Sequence, residues 1–281
     1  MTLNQPIKRV WFDTDIGTDP SCATALLFAL KHRRIEVVGV SISGRQQQRR
    51  LDEAYAVLEY ADAKNVPVFL GENVSALSID AARPDATITT GPLTNIARLV
   101  LDEASFGRIH IAGGAFRAVD YRGQSITVEK NVSTDKDATR IVLSQYDDIC
   151  ISSFEASSAL VLNFEARTQI EDKHPFLKNR YDGFIEYLAD RYGNDHCELL
   201  MNAVLPLCDI LNTATITREV IDFYIQPDGS FRRAYVLAHR PPSIPEITDN
   251  PDRVPVPLVK HEVLRAVEPS HVLGELVATL T

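Results

Sequence analysis

The amino-acid sequence predicts an α/β fold in which a mostly parallel central sheet carries helices on both faces and is followed by a C-terminal hairpin and helices. Short apolar runs that end in polar residues are typical of buried parallel strands, and they alternate with segments whose apolar residues recur at helical spacing. This β-α-β-α order is typical of a parallel sheet between two layers of helices. Because the 281 residues contain no repeat, low-complexity tract or linker, we expect a single domain over residues 1–281.

The strands and helices of the first part of the chain follow each other in a regular order. The strand at 8–13 ends at the first aspartates, and Asp19 and Pro20 are typical of the cap and the first position of the next helix. The other predicted strands are 35–42, 66–70, 85–90, 107–113 and 148–153. The predicted helices are 20–33, 46–63, 94–103 and 134–146.

The last third of the chain shows a different pattern. Its predicted helices are 175–192, 196–214 and 270–280. Segments 219–226 and 231–238 are separated by the turn sequence QPDGS, which predicts a hairpin. The proline-rich residues 241–257 are expected to form a loop or an edge structure.

Composition and charge argue against several classes of protein. The formal net charge is −9, whereas a nucleic-acid-binding protein needs a basic face, so we interpret the basic runs 31–34 and 49–50 as solvated helix ends and faces. The four cysteines form no C-x-x-C pair, which favours a reducing cytoplasm over a disulfide framework or a zinc knuckle. No apolar run reaches the roughly 18 residues of a membrane helix, and residues 1–10 contain no signal-peptide core. We therefore expect a cytoplasmic protein with neither a nucleic-acid nor a membrane partner.

Polar side chains follow several predicted strands at the points where those strands end. They lie at residues 13–19, 43–45, 89–91 and 112–114. Because the carboxyl ends of parallel strands meet at one edge of a sheet, and ligands of such sheets bind there, we expect these residues to converge on one site.

Four stretches of the chain contain distinctive motifs: WFDTDIGTDPS (11–21), TTGPLTNIA (89–97), IAGGAF (111–116) and VEKNVSTDKDA (128–138). Together they resemble the nucleoside hydrolase family, the inosine-uridine preferring N-ribosyl hydrolases, and the resemblance spans most of residues 7–215. In that family carboxylates and a threonine carbonyl hold a calcium ion, which grips the ribose hydroxyls and a water. An aspartate takes the proton of that water as it attacks the anomeric carbon, and the base leaves. Members are usually dimers or tetramers, which leaves a homo-oligomer open here.

The resemblance implies a role for each matching residue. Asp15 corresponds to the aspartate that is both metal ligand and general base, so it is the catalytic candidate. Thr90 corresponds to the carbonyl ligand, and Asp13 to a more structural aspartate of the site. The candidates for binding the ribose hydroxyls are Asp19, Glu129 and Asn131.

Three departures from the family put its calcium site in doubt. Pro20 and Pro206 stand at positions of calcium-binding carboxylates, and Leu205 at that of a histidine near the leaving base. Asp15 and the Thr90 carbonyl alone are too few ligands for a closed Ca²⁺ site, so we expect no metal and no cofactor. In addition, only about 15 residues, 72–86, fill the span in which the family carries a lid over ribose and base.

A further departure suggests what replaces the ion. Arg45 stands where the family has an asparagine after the second strand. Since three neighbouring carboxylates need a cation, we expect the Arg45 guanidinium within salt-bridge distance of Asp13, Asp15 or Asp19, where it would also contribute to ligand binding. Lys130 adds a second positive charge on the opposite wall. The alternative is that Arg45 points into solvent at the start of the next helix.

Several of these residues also have purely structural interpretations. Asp19 is typical of a helix cap, and Glu129 and Asn131 are compatible with an ordinary loop. Asp209 lies one helical turn from a missing ligand, yet we interpret it as a solvated or core aspartate, and His110 as a core histidine.

Two functions remain open on this basis. In the first, the protein hydrolyses the N-glycosidic bond of a ribonucleoside or a related ribosyl compound without a complete calcium site. In the second, it is a catalytically inactive protein that binds a ribosyl ligand or a partner chain. The expected partner is a small-molecule ribosyl ligand, and fold alone does not decide between the two functions.

Overall fold

The computed structural model describes residues 6–234 and 258–281, without the side chain of His196. The strands of the central sheet are β1 (Lys8–Thr14), β2 (Ile35–Ile42), β3 (Val68–Leu70), β4 (Ala86–Thr89), β5 (Arg108–Ala112), β8 (Ile149–Ser152), β9 (Ile216–Ile225), β10 (Phe231–Arg233) and β11 (Leu258–Val267). A separate hairpin consists of β6 (Val119–Tyr121) and β7 (Gln124–Ile126). Among the described residues the central sheet has nine strands, in the order β10-β9-β11-β8-β5-β4-β1-β2-β3.

Helices cover both faces of this sheet. They are α1 (Pro20–Lys31), α2 (Gln47–Tyr60), α3 (Ala76–Ala82), α4 (Thr94–Leu101), α5 (Lys130–Thr134), α6 (Lys136–Gln145), α7 (Phe154–Ser157), α8 (Phe164–Lys173), α9 (Pro175–Tyr192), α10 (Leu205–Leu211) and α11 (Pro269–Leu280). Short 3₁₀ turns lie at Gly71–Asn73, Asn194–His196 and Asn202–Val204. None of the helices in the described ranges is long and apolar enough to cross a membrane.

The sheet separates two hydrophobic cores. Successive side chains of a strand point to opposite faces, so Phe12 of β1 packs in one core with Leu26 of α1. The neighbouring Trp11 packs in the other core with Ile96 of α4. Along the sheet from the edge strand β3 to β11, each strand pairs in parallel with the next. Within the described sheet, only the pairs β11–β9 and β9–β10 are antiparallel. The predicted α/β fold with a mostly parallel sheet is confirmed.

Most predicted elements are present with small changes in their ends, but one predicted helix differs from the structure and one strand of the central sheet was not predicted. The helix expected at 196–214 is wrong: only Leu205–Leu211 is α-helical, because Pro206 fits the first turn of a helix and would break the interior of a longer one. The helix expected at 134–146 is present as α6, and it begins after Asp135, whose carboxylate caps it by accepting from the Ala138 N–H at 3.0 Å. Strand β11 was not predicted, and it lies between β8 and β9.

The predicted C-terminal hairpin is present as β9 and β10, which pair antiparallel around the turn at 226–230. The residues 235–238 that were assigned to its second strand, and the loop expected at 241–257, lie outside the described residues.

The span expected to lack a lid contains the short helix α3. This helix leads away from the carboxyl ends of the strands, because the Ala82 carbonyl accepts from Arg9 near the start of β1. Asp80 accepts from the Ser105 N–H just before β5. The segment therefore packs toward the amino edge of the sheet.

Candidate functional site

The candidate site lies at the carboxyl edge of the sheet, where β1, β2 and β4 end side by side. Asp13 of β1 is the register partner of Ser41 in β2 and of Thr89 in β4. The next residue after β4, Thr90, donates its N–H to the Asp13 carbonyl at 2.9 Å. The turn is tight at Gly91, where an added Cβ would lie 2.8 Å from the Asp15 backbone nitrogen. Parallel pairing thus brings the aspartates and Thr90 together, as we expected from their positions.

Asp13 is a fully buried carboxylate that organises this edge. Its Oδ2 accepts from the Ser41 hydroxyl at 2.5 Å and from the Asn95 amide at 2.8 Å. Burial raises the pKa of Asp13 to about 6, although these two donors oppose the shift. The side chain joins three segments of the chain, which fits the structural role that the resemblance implies.

Asp15 is the buried carboxylate at the centre of the site. Burial raises its pKa, whereas the positive charges of Lys130 and Arg50 lower it. The Lys130 Nζ and the Arg50 Nη2 each lie 3.7 Å from Asp15 Oδ2. The Cys22 thiol lies 3.9 Å from the other carboxylate oxygen. Asp15 therefore lies between two cations and a thiol, and its carboxylate binds a proton more readily there than it would in water.

The expectation for Arg45 is wrong. Its side chain is exposed, and among the described residues it forms no ion pair with Asp13, Asp15 or Asp19. Arg50, in the first turn of α2, takes that place beside Asp15 and also donates to the Ile16 carbonyl at 2.9 Å. The backbone carbonyl of Arg45 accepts from the Arg50 Nε at 2.6 Å.

Arg50 belongs to a basic run that the sequence analysis interpreted as a solvated helix face. A signal for its role was present, since the helix after β2 begins at the carboxyl edge and its first turn must lie near the site. The second cation, Lys130, was expected beside the aspartates, and its Nζ lies 3.7 Å from Asp15 Oδ2.

Asp19 caps helix α1. Its carboxylate accepts from the Ser21 N–H at 2.9 Å and from the Ser21 hydroxyl, and Pro20 occupies the first helical turn. The Ser21 hydroxyl also lies 2.9 Å from Asn202 Oδ1, a residue that was not among the predicted site residues although it lies just before Leu205 and Pro206. Asp19 remains half-exposed, so a ligand can reach it despite its capping role.

Glu129 and Asn131 form the far wall and are both buried. The Glu129 carboxylate caps α5 by accepting from the Asn131 N–H at 2.9 Å with each oxygen. Burial raises the pKa of Glu129 to about 6. The Asn131 amide donates to the Thr90 carbonyl at 3.2 Å and to the Ala112 carbonyl at 3.0 Å. These bonds fasten the loops after β4 and β5 to each other.

A cavity of about 510 Å³ adjoins this edge of the sheet. It is lined by Asp19 and Pro20, by Arg49 and Arg50 of α2, and by Phe184 and Tyr187 of α9 among other residues. The two aromatic rings stack with centroids 5.9 Å apart. The volume is within the range of about 300–1,000 Å³ that is usual for small-molecule sites.

The replaced metal-ligand positions lie in packed surroundings. Pro20 is buried in the first turn of α1, and Leu205 and Pro206 are buried at the start of α10. Asp209, one turn further along α10, is buried against His110 and Arg218 and does not face Asp15. The interpretation of Asp209 and His110 as core residues agrees with this placement.

The pKa of Asp13 predicts a pH dependence of stability that the variant Asp13→Asn removes. A carboxyl with a folded pKa of about 6 and an ordinary value of 3.8 binds a proton more tightly in the folded chain. Its contribution to stability is therefore largest below about pH 4 and is lost as pH rises to about 6. The loss is about 3 kcal/mol, and urea unfolding of both proteins between pH 4 and 7 measures it.

Comparing the two proteins cancels the titration of groups that do not interact with Asp13. The free energy of unfolding of the wild type, relative to Asp13→Asn, should fall across this range. A difference that stays constant with pH would show that Asp13 keeps its ordinary pKa when buried.

Comparisons with known proteins agree with the fold. In structure the chain resembles a plant nucleoside hydrolase, with a TM-score of 0.76, 18% identity and coverage of 98% of this chain and 99% of the other. It also resembles a purine-preferring ribonucleoside hydrolase from Gardnerella vaginalis, with a TM-score of 0.72, 17% identity and coverage of 97% and 98%. For the inosine-uridine preferring nucleoside hydrolase from Bacillus anthracis the TM-score is 0.60, the identity is 14%, and the coverage is 98% of this chain and 99% of the other.

Comparisons of sequence give a match to a protein family but none to an individual curated protein. A comparison with curated proteins finds no match. Residues 74–262 match the family of inosine-uridine preferring nucleoside hydrolases, a range that begins after the aspartates of β1 and includes Thr90, Glu129 and Asn131. The match covers more than half of the chain, which therefore belongs to the inosine-uridine preferring nucleoside hydrolase family, whose shared chemistry is hydrolysis of the N-glycosidic bond of nucleosides.

Proposed function

We propose that this chain hydrolyses the N-glycosidic bond of a ribonucleoside or a related ribosyl compound, with Asp15 as the general base. The observation that carries the proposal is a buried carboxylate with a raised pKa at the carboxyl edge of the family's sheet. A base whose pKa is raised toward neutrality is better able to take a proton from an attacking water. The oxocarbenium-like transition state demands little of that water as a nucleophile, so deprotonation by Asp15 is sufficient assistance.

The ribose is proposed to lie between Asp19 and the wall formed by Glu129 and Asn131. The Asn131 amide group uses its donors on two backbone carbonyls, which leaves its side-chain oxygen as an acceptor for a ribose hydroxyl. Asp19 is half-exposed and offers a second acceptor from α1. The Asn131 oxygen and the Asp19 carboxylate are thus proposed to accept hydrogen bonds from two ribose hydroxyls, one on each side of the sugar.

The leaving base is proposed to lie against Phe184 and Tyr187. Both rings line the cavity beside Asp19, and Tyr187 is half-exposed to solvent in the free protein. A flat base stacks on such faces without a directed hydrogen bond, so this surface limits the substrate to aromatic leaving groups more than it selects one base.

The donor set does not fit the calcium ion of the family. Ca²⁺ takes six to eight oxygens, and the chain offers Asp15 and the Thr90 carbonyl at the matching positions. Two cationic side chains lie 3.7 Å from Asp15 Oδ2, and the Thr90 carbonyl already accepts from Asn131. We therefore propose that Arg50 and Lys130 offset the charge of Asp15 in place of an ion, and that hydrolysis needs no cofactor.

The test is release of free base from a panel of purine and pyrimidine ribonucleosides, followed by chromatography. We expect release at equal rates in millimolar Ca²⁺ and in excess chelator, and a melting temperature that neither condition changes. A rise of several degrees with Ca²⁺ would mean that the ligand positions are assigned incorrectly. Binding of ribonucleosides without release of base would favour the alternative, a catalytically inactive ribosyl-binding protein.

A further inference from the structure

A second cluster of chemically reactive side chains lies on the sheet away from the aspartates. His110 of β5, Cys150 of β8 and Glu262 of β11 are register partners across three neighbouring parallel strands. Register partners point to the same face, and Asp209 of α10 packs over them from that side. Imidazole, thiol and carboxylate groups are thus brought together by strand pairing and one helix.

The distances in this cluster match those of a tetrahedral metal centre. His110 Nδ1 lies 3.1 Å and Cys150 Sγ 3.4 Å from Asp209 Oδ2. The three ligand atoms all lie within 4.8 Å of one another. Zinc bonds of 2.0–2.3 Å in tetrahedral geometry separate ligand atoms by about 3.3–3.8 Å, so the two distances to Asp209 Oδ2 are already close to those of a metal centre.

Within the cluster the Cys150 thiol donates to Asp209 Oδ2 at 3.4 Å and to Glu262 Oε1 at 3.6 Å, and a bound ion would replace that thiol proton. His110 Nδ1 is buried and, despite its distance of 3.1 Å from the carboxylate, makes no hydrogen bond of acceptable geometry. Arg218 donates twice to Asp209 Oδ1, at 2.6 and 3.0 Å, which leaves Oδ2 facing the imidazole and the thiol. Such an outer contact orients a ligating carboxylate in known metal sites.

A path to the cluster and a fourth ligand are also available. A cavity of about 330 Å³ reaches His110 and Asp209 from the amino edge of the sheet, where Lys8 and Arg108 begin β1 and β5. The carboxylate of Glu262 lies 3.6 Å from Cys150 Sγ. Because Glu262 Oε1 already accepts from Arg108 Nη2 at 3.0 Å, a water from the cavity is the fourth ligand that leaves this ion pair intact.

We propose that His110, Cys150 and Asp209 form a binding site for a divalent transition-metal ion, best suited to Zn²⁺. The nitrogen, sulfur and oxygen donors are those that zinc prefers, whereas Ca²⁺ and Mg²⁺ take oxygen alone. The site opens at the edge of the sheet opposite Asp15 and is independent of the proposed hydrolysis. It ties β5, β8 and α10 together through one ion.

The test uses the full chain, stripped of metal and titrated with Co²⁺ and then with Zn²⁺. We expect one equivalent of Co²⁺ to give an intense thiolate-to-cobalt charge-transfer band in the near ultraviolet, which Zn²⁺ then removes by displacement. Zn²⁺ at 100 times its Kd should raise the melting temperature by roughly 5 °C. The wild-type spectrum needs no variant and therefore stands even where a substitution prevents folding.

Variants identify the ligands. Cys150→Ser should abolish the charge-transfer band, and His110→Gln, which removes a direct ligand, should weaken binding by more than the roughly 10–100-fold that loss of an outer partner costs. Cys208→Ser removes another buried thiol, in α10, and should bind as the wild type does. Asp15→Asn should also bind normally. The proposal is overturned if wild type gives no charge-transfer band, if Cys150→Ser retains it, or if Asp15→Asn removes metal binding.

Discussion

Replacing Asp15 by asparagine should lower kcat for release of free base by about 10²–10⁴-fold, the contribution that a positioned general base usually makes. Asparagine has nearly the same shape but cannot accept a proton from water. The carboxylate is buried and its pKa is raised. The substitution puts a neutral side chain beside Arg50 and Lys130 in its place. Single-turnover release of base, with binding of the same nucleoside measured by calorimetry, separates lost chemistry from lost affinity.

Asp52→Asn is the matched control for Asp15→Asn. Asp52 is an exposed aspartate of α2 that accepts only from Gln48, at 2.9 Å, among the described residues, so its change removes one charge near the site without touching it. Its kcat should stay within about twofold of the wild type. Full activity of a folded Asp15→Asn protein would exclude Asp15 as the base and transfer that role to another carboxylate of the edge.

Replacing Arg50 by glutamine should move the ascending limb of the profile of kcat/KM against pH to higher pH by about one unit. An opposite charge within about 4–6 Å lowers the pKa of a carboxyl by 1–3 units, and Arg50 lies 3.7 Å from Asp15 Oδ2 in a largely buried position. Without it, burial raises the pKa of Asp15 further. The rate below the limb should consequently fall by about tenfold, and rates measured from pH 4 to 9 provide the profile.

Arg45→Gln is the matched control, since it removes the same charge five residues earlier. The Arg45 side chain is exposed, and it contacts Arg50 through a backbone carbonyl that the substitution keeps. Its profile should coincide with that of the wild type. If Arg45→Gln shifts the limb and Arg50→Gln does not, the ion pair seen between Arg50 and Asp15 has no part in tuning the base.

The sequence by itself determined the elements whose signals are local. The strands before the site are recognisable because buried parallel strands are short apolar runs, and Asp19 with Pro20 marks the start of α1 through capping and a fixed φ. The convergence of Asp13, Asp15 and Thr90 was also predictable, since parallel strands place their carboxyl ends at one edge. These conclusions need only residue type and spacing.

Other elements depended on partners far along the chain. Strand β11 was missed because its place between β8 and β9 is decided by pairing with strands that other parts of the sequence provide. The extended helix at 196–214 was a local reading of apolar spacing that overlooked the rule against an interior proline at Pro206. The missed strand reflects a limit of local sequence patterns. The proline that ends the helix, in contrast, was visible in the sequence.

Only the tertiary structure decided which cation lies beside Asp15 and which groups meet at Cys150. The chain passes through Gln46, whose φ is 58°, just before α2, and Arg50 of that helix, rather than Arg45, lies beside Asp15. Cys150 meets Asp209 across 59 residues of sequence, because strand register and the docking of α10 bring them together. Spacing along a chain specifies which residues share an element, but direction and distance between elements are set by packing, which depends on the whole chain at once.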